Sequence, residues 1–581
     1  MILGLAKSRP CTAPNGGASG WFYGGAVRPS RAIEEVGRTG VDAAALEAAR
    51  SAFAQRAWAD ARANFRAAGA LDRLDADDLE RLAIASYLGG HDRSSTEAWA
   101  AAYRARLDAD EPDAAVLCAF WLAFGLIQRG EMAEGGGWIS RAEQLVDERQ
   151  LDGVCTGYLR IPHALQRMGS GDHTAAFDQC EAAASVARRF GDRDLLALST
   201  LGCGQSLCCM ERLTEGVARF DEVMVAVTTG DVSPVVAGIV YCAVIDECQR
   251  AFDVVRASEW TRALSRWCDE QPDLVPYRGQ CLVHRSQILE LRGAWHDALR
   301  EAQQARRRLA EPPHPAVGMA HYQLGELQRL RGELGAAIEA YGRAHEMGRS
   351  PYPGLALALL ARGDVDAAAA AIDTALVGTT DAPTRARQLP AYVEIMIAAG
   401  RLGDAREGAA SLAALAELTL TPYIRATADQ ATGAVAVRDG RARDAIGSLR
   451  AALGAWTQLE VPYEAARCRV LLADACRALG DNATADLELA AARRTFAQLG
   501  APTTLLDTDP HASDAGLLTE RELQTLRRVA GGATNSEIAR DMFVSVKTVE
   551  RHVSNVLRKL NVPNRAAATA AAFERGLLEP G

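Results

Sequence analysis

One pattern of apolar and polar positions recurs along most of this chain. It consists of an anchor, usually glycine, a small residue five positions on, an apolar residue at nine, and a small or apolar residue at twelve. The fullest copy is Gly332, Ala337, Tyr341 and Ala344. Others run Gly293/Ala298/Ala302/Ala305, Gly363/Ala368/Ile372/Ala375, Gly440/Ala445/Leu449/Ala452 and Gly480/Ala485/Leu489/Ala492. The frame also fits from Gly130 and Gly171, and more weakly from Arg56, Gly90, Glu211, Phe252 and Gly400. Twelve anchors between positions 56 and 480 leave eleven intervals averaging about 39 residues. Offsets of five, nine and twelve share one face of a 3.6-residue helix, so each copy predicts a helix with one buried stripe. Glycine at the anchor ends the preceding helix, because it takes a left-handed turn at little cost. The pattern therefore predicts an all-α solenoid of about twelve helical hairpins over roughly residues 41–499, wound as a right-handed superhelix. An alanine-rich bundle would not demand one frame at a steady interval.

The run Leu324-Gly325, Ala337, Tyr341 and Ala344 resembles the tetratricopeptide signature closely, and most other copies resemble it loosely. Such arrays offer long grooves, so a protein or peptide partner in the repeat groove is expected. Trp99, Trp121, Trp138, Tyr158, Tyr322 and Tyr341 could line that groove, although each taken singly fits packing between helices better. His163, His173 and His284 read as packed or surface histidines.

Composition narrows the function classes. At 581 residues, 49% hydrophobic and 24% charged, the chain has the make-up of a multidomain globular protein. Its longest uncharged apolar run, residues 114–127, is 14 long, whereas a membrane helix needs roughly 20. The start has one lysine after a short apolar run, unlike a secretory signal. Residues 1–40 hold eight glycines and no repeat frame, and are expected to be disordered or a miscalled start. Thirteen scattered cysteines without a C-x-x-C pair point to packed thiols in a cytoplasmic protein and to no metal site. None of the three lysines (Lys7, Lys547, Lys559) follows glycine, so no P-loop exists in this sequence and no nucleotide cofactor is expected. No catalytic constellation assembles either, and the sequence does not read as an enzyme.

Charge is distributed unevenly. Net charge is −10, yet residues 517–581 carry ten Lys and Arg against seven Asp and Glu. An acidic body with a basic tail suits a regulator bearing a DNA-binding domain. Residues 500–516, with two prolines and three aspartates, read as a flexible linker. After it, Thr519 and Glu522 form a capping box for a helix that stops at Gly531-Gly532. A second box, Thr534 with Glu537, opens a short helix, and Phe543-Val544 make a tight turn. Ser545 caps a third helix, whose apolar face is Val546, Val549, Val553, Val556 and Leu560. Its other face carries Lys547, Glu550, Arg551, Ser554 and Arg558. A fourth helix runs from about Asn564 to Arg575. A short helix, a tight turn and a helix with a basic free face predict helix-turn-helix geometry, the second helix entering a major groove.

Segment 517–578 closely resembles the LuxR-type DNA-binding domain, through Leu518–Glu522, Asn535–Ala539, Ser545–Val549, His552 and Asn555–Leu560. The resemblance implies double-stranded DNA as partner, bound as a homodimer, with RNA polymerase a possible further partner. It places Glu550, Arg551 and Ser554 at base-reading positions. Thr534, Asn535, Lys547, Thr548, His552, Arg558 and Lys559 would contact phosphates or their surroundings. Ala567, Ala570 and Ala571 on the last helix would make the dimer contact. Many family members have a basic residue where Glu550 stands. A carboxylate cannot bind guanine's acceptors but can accept from cytosine's amino group. Alternatively, Glu550 pairs with Lys547 or Arg551 and orients it. A repeat array joined to this tail also resembles the C-terminal part of large ATP-binding LuxR-type regulators, without their nucleotide-binding domain. The expected function is a DNA-binding transcriptional regulator whose body receives a ligand or protein signal. The alternative is an interaction scaffold acting mainly through its superhelix.

Overall fold

The computed structural model describes residues 41–502, 518, 520–574 and 577–578, except 272, 311–315, 380, 420, 543, 561 and 563. The expectations for residues 1–40, the linker after residue 502 and the box at Thr519 lie outside the described residues. All described regular structure is helical. Twenty-four helices, α1 (Ala43–Ala54) to α24 (Asn482–Leu499), pair in order as twelve antiparallel hairpins, followed by four shorter helices. They form two compact units. One holds the chain to Ala428 except Leu330–Gly332, and the other holds those three residues and the chain from Asp429 onward.

The twelve anchors are the twelve hairpin turns. Every one has a left-handed backbone, with φ between 58° at Phe252 and 92° at Gly363. The next residue caps the second helix in several repeats: Asp172, Asp253 and Asp481 each accept from the amide three positions on. The turn itself is closed by backbone bonds, as where the Asp172 amide donates to Arg167 O at 3.0 Å. Glycine is not obligatory there. Arg56, Glu211 and Phe252 adopt the same conformation at φ 59°, 63° and 58°, held by the same turn hydrogen bonds.

The frame marks the buried stripe. Of its 36 positions at offsets five, nine and twelve, 35 are buried, and only Ala375 is half-buried. Small residues at five and twelve bring helices together, and the residue at nine fills the seam. The seam at Tyr341 shows the fit: a Cβ added at Gly325 would sit 2.7 Å from the Tyr341 ring. The named aromatics divide as follows. Trp99, Tyr158 and Tyr341 are buried, whereas Trp121, Trp138 and Tyr322 keep partial exposure.

Between α13 (Pro276–Leu291) and α15 (Val317–Leu330), Gln323 Nε2 donates to Glu290 Oε2 at 2.5 Å. Burial, reinforced by the Glu326 carboxylate and opposed by Arg329, pushes Glu290 up to about 8. The folded chain therefore holds a proton near pH 7 that the unfolded chain releases. Its stabilising contribution is complete below the ordinary glutamate range and is lost as pH rises through about 8. Glu290→Gln is expected to flatten the fall in urea midpoint between pH 5 and 8.5. An unchanged fall would assign it to other groups.

Candidate DNA-contacting surface

The last four helices are α25 (Glu520–Ala530), α26 (Asn535–Asp541), α27 (Val546–Lys559) and α28 (Arg565–Glu574). Their core has two adjoining parts. Leu526, Val556, Leu560, Ala568 and Ala572 join α25, α27 and α28. Val529, Ile538, Ala539, Met542, Val549 and Val553 join α25, α26 and α27. This is the apolar spacing of α27 turned inward, with one exception. Val546, at the first turn, is 42% exposed.

The turns follow the expected chemistry. Gly532 ends α25 at φ 81°, and the Ala533 amide donates to Arg528 O at 3.0 Å. Thr534 and Glu537 complete the capping box: the Thr534 amide and hydroxyl each donate to Glu537 Oε2 at 2.8 Å. Those bonds hold the Glu537 carboxyl below its usual range. Ser545 Oγ accepts from the Thr548 amide at 3.1 Å and caps α27. Asn564 Oδ1 does the same for α28 by accepting from the Ala567 amide at 2.9 Å.

Packing α27 by its valines leaves Lys547, Glu550, Arg551 and Ser554 exposed together on its outer face, with Thr548 and His552 half-buried at the edges. Among the described residues Glu550 makes no ion pair, so the pairing with Lys547 or Arg551 weighed from sequence is not formed in the free protein. Arg558 and Lys559 continue the helix, but their side chains lie outside the described atoms. Three expected contact residues already have side-chain partners, and in one of them the Thr548 hydroxyl lies 2.7 Å from Ser545 Oγ. The Thr534 hydroxyl serves its cap, and Asn535 Oδ1 accepts from Arg565 Nη1 at 2.6 Å. The Asn535 amide NH2 remains a donor.

Sequence reasoning missed Arg565. Its second nitrogen donates to Ala533 O at 2.6 Å, so one guanidinium pins the start of α28 to the start of α26. The partners lie 30 and 32 residues upstream, and nothing in local spacing marks them. The three alanines assigned to a dimer contact also differ. Ala571 is buried within the domain at 5% exposure, while Ala570 is exposed and Ala567 half-buried. The outward face of α28 is made instead by Ala566, Ala570 and Phe573, the last 43% exposed.

Elsewhere the twelve described cysteines are all free thiols, and no His, Cys, Asp and Glu group among the described residues could hold a metal. No helix among them is long and apolar enough to cross a membrane.

Residues 516–572 match the family of bacterial regulatory proteins, luxR family, so the chain carries a LuxR-type domain at this end. Over 58 residues it is 50% identical to the nitrate/nitrite response regulator protein homolog of Haemophilus influenzae, covering 10% of this chain and 28% of that protein. It is 44% identical over 63 residues to response regulator protein VraR of Staphylococcus aureus, covering 11% of this chain and 30% of the relative. The chain thus spans under a third of these relatives' length. Among solved structures it is similar to the APC/C hetero-tetramer Cut9-Hcn1, with TM-score 0.40 and 13% identity over 91% of this chain and 96% of that one. The human IFIT1 dimer with PPP-AAAA gives TM-score 0.36 and 14% identity over 72% and 90%.

Proposed function

We propose that this protein is a DNA-binding transcriptional regulator in which residues 517–581 read a promoter-region site and residues 41–499 receive a ligand or protein signal. The observation that carries the reading is the outer face of α27. Lys547, Glu550, Arg551 and Ser554 stand exposed there on a helix whose other face is locked into a small core. A helix held in this way, after a short helix and a tight turn, can enter a major groove about 12 Å wide. Arg551 is suited to a bidentate contact with guanine and Glu550 to accepting from cytosine, while Lys547 supplies a phosphate contact. Binding as a homodimer through the exposed part of α28 around Ala570 and Phe573 fits the same reading, with the linker joining body to tail at 500–516.

Salt dependence tests it. Full-length protein on a short duplex is expected to lose affinity steeply as salt rises, because each phosphate contact releases counterions. Lys547→Ala should lower the slope of log affinity against log salt by about 0.9 and weaken all sequences alike. Affinity indifferent to salt would instead support a scaffold acting through the repeats.

A further inference from the structure

Inside the first unit, α3 (Ala76–Leu88), α4 (Asp92–Asp108) and α5 (Pro112–Gln128) face the start of α9 (Arg193–Cys209) and of α11 (Pro234–Arg250) across a part-open cavity. The cavity proper holds about 100 Å3, well beyond what a single water needs. Tyr87, Trp99, Trp121 and Phe124 wall it. Trp121 and Phe124 meet edge to face at 5.7 Å and 78°, and Phe120 packs against both from behind, so the aromatic wall is braced.

Two charged walls give the cavity a polarity. Arg129, just past α5, uses Nε on Glu131 at 2.8 Å and Nη2 on Thr96 at 3.3 Å. Its remaining nitrogen, Nη1, lies 4.0 Å from where a Cβ on Gly125 would stand. Opposite, Asp194 Oδ1 accepts from the Ser233 amide at 2.7 Å, and burial raises its carboxyl above the usual range. Asp92 is the other charged group in the lining.

Gly125 gives a place from which the cavity can be filled. It sits inside α5, where glycine costs roughly 0.5–1 kcal/mol relative to alanine. Some helical glycines admit a neighbour, as at Gly157, where a Cβ would meet Leu195 at 2.5 Å, while others, such as Gly136, Gly342 and Gly447, face open space. At Gly125 no packed neighbour needs the room. A Cβ there meets only Arg129 Nη1, and because Gly125 lines the cavity a larger side chain at this position would grow into it.

We infer that this cavity binds a small planar aromatic molecule bearing an anionic group, its ring held between Trp99, Trp121 and Phe124 and its anion on Arg129. A hydrogen-bond donor at the far end of the guest would reach Asp194. The assignment rests on the reading of the repeat body as the part that receives a signal, and it supplies the chemical class of that signal.

The test uses full-length protein and 2-naphthoate, with its cationic counterpart 2-naphthylmethylammonium, followed by calorimetry and by quenching of tryptophan emission. Saturable one-to-one binding of 2-naphthoate is expected, at least tenfold tighter than that of the ammonium compound. Arg129→Gln should remove the preference for the anion. Gly125→Ala should keep binding, whereas Gly125→Leu should abolish it with the melting temperature unchanged or raised. Binding that survives Gly125→Leu undiminished, an anion preference that survives Arg129→Gln, or no saturation with 2-naphthoate would each overturn the site. The readout involves no DNA. A protein that binds 2-naphthoate but not DNA keeps the cavity assignment and loses the regulator reading, and the converse result does the reverse.

Discussion

Arg551→Ala is expected to weaken binding to the preferred duplex by about 1–3 kcal/mol, roughly 5- to 150-fold, and to relax the base preference at one position of each half-site. The side chain is exposed on α27 and makes no ion pair among the described residues, so its removal leaves the domain's core untouched. Melting should therefore move by no more than the roughly 0.5 kcal/mol typical of surface substitutions. Recovery of genomic DNA bound by the wild-type and variant full-length chains measures both effects at once. A shared inverted repeat in the wild-type pool, blurred at one base pair in the variant pool, assigns Arg551 to base readout. If the variant loses affinity equally for all sequences, Arg551 is a phosphate contact and specificity must come from Glu550 and Ser554 or from DNA shape. The comparison with Lys547→Ala is informative, because the two residues share a face yet should separate cleanly: one changes the sequence read and the other only the salt slope.

Much of this was legible because the physics is periodic or local. The hairpin turns showed in the sequence through one glycine-anchored frame, and the anchors proved to be left-handed even where the residue is Arg56, Glu211 or Phe252. There the burial pattern on either side, and not the anchor's identity, carried the information. The caps at Thr534 and Ser545 were equally visible, since a cap spans only three residues. What sequence could not show are contacts across many residues and faces that two partners compete for. Arg565 reaches back 30 residues to Asn535 and holds its side-chain oxygen, which leaves the NH2 as the group available to a phosphate. Ala571 belongs to a small-residue helix whose inner and outer faces are chemically alike, so composition could not tell which alanines point inward. Glu550 stands free of Lys547 and Arg551, which lie at i−3 and i+1; spacing permits the first pair and does not compel it. The cavity beside Gly125 was invisible for the same reason, since its walls come from helices a hundred residues apart.

The largest stability effect is expected at Tyr341, which is completely buried at the seam position of the clearest repeat. Its hydroxyl donates to Glu326 Oε1 at 2.7 Å, and its ring occupies space that two glycines leave open. A Cβ at Gly325 would lie 2.7 Å from the ring, and one at Gly354 would lie 2.5 Å from it. Tyr341→Ala removes the ring from between two rigid backbones that cannot collapse inward, so it should cost about 3–5 kcal/mol. Tyr341→Phe removes only the hydroxyl. Glu326 keeps its ion pair with Arg329 at 2.6 Å, so the loss should be about 0.5–1.5 kcal/mol. Gly325→Ala forces the ring to move and should cost about 1–3 kcal/mol. The pair Gly325→Ala with Tyr341→Ala decides between mechanisms. If the ring alone makes the glycine necessary, the added methyl becomes harmless or helpful once the ring is gone, and the double variant is no less stable than Tyr341→Ala. Additive losses would mean that Gly325 is required by the backbone itself. Hydrogen exchange should localise the effect to the hairpins flanking residue 341, because stability in a stacked array is largely a nearest-neighbour property.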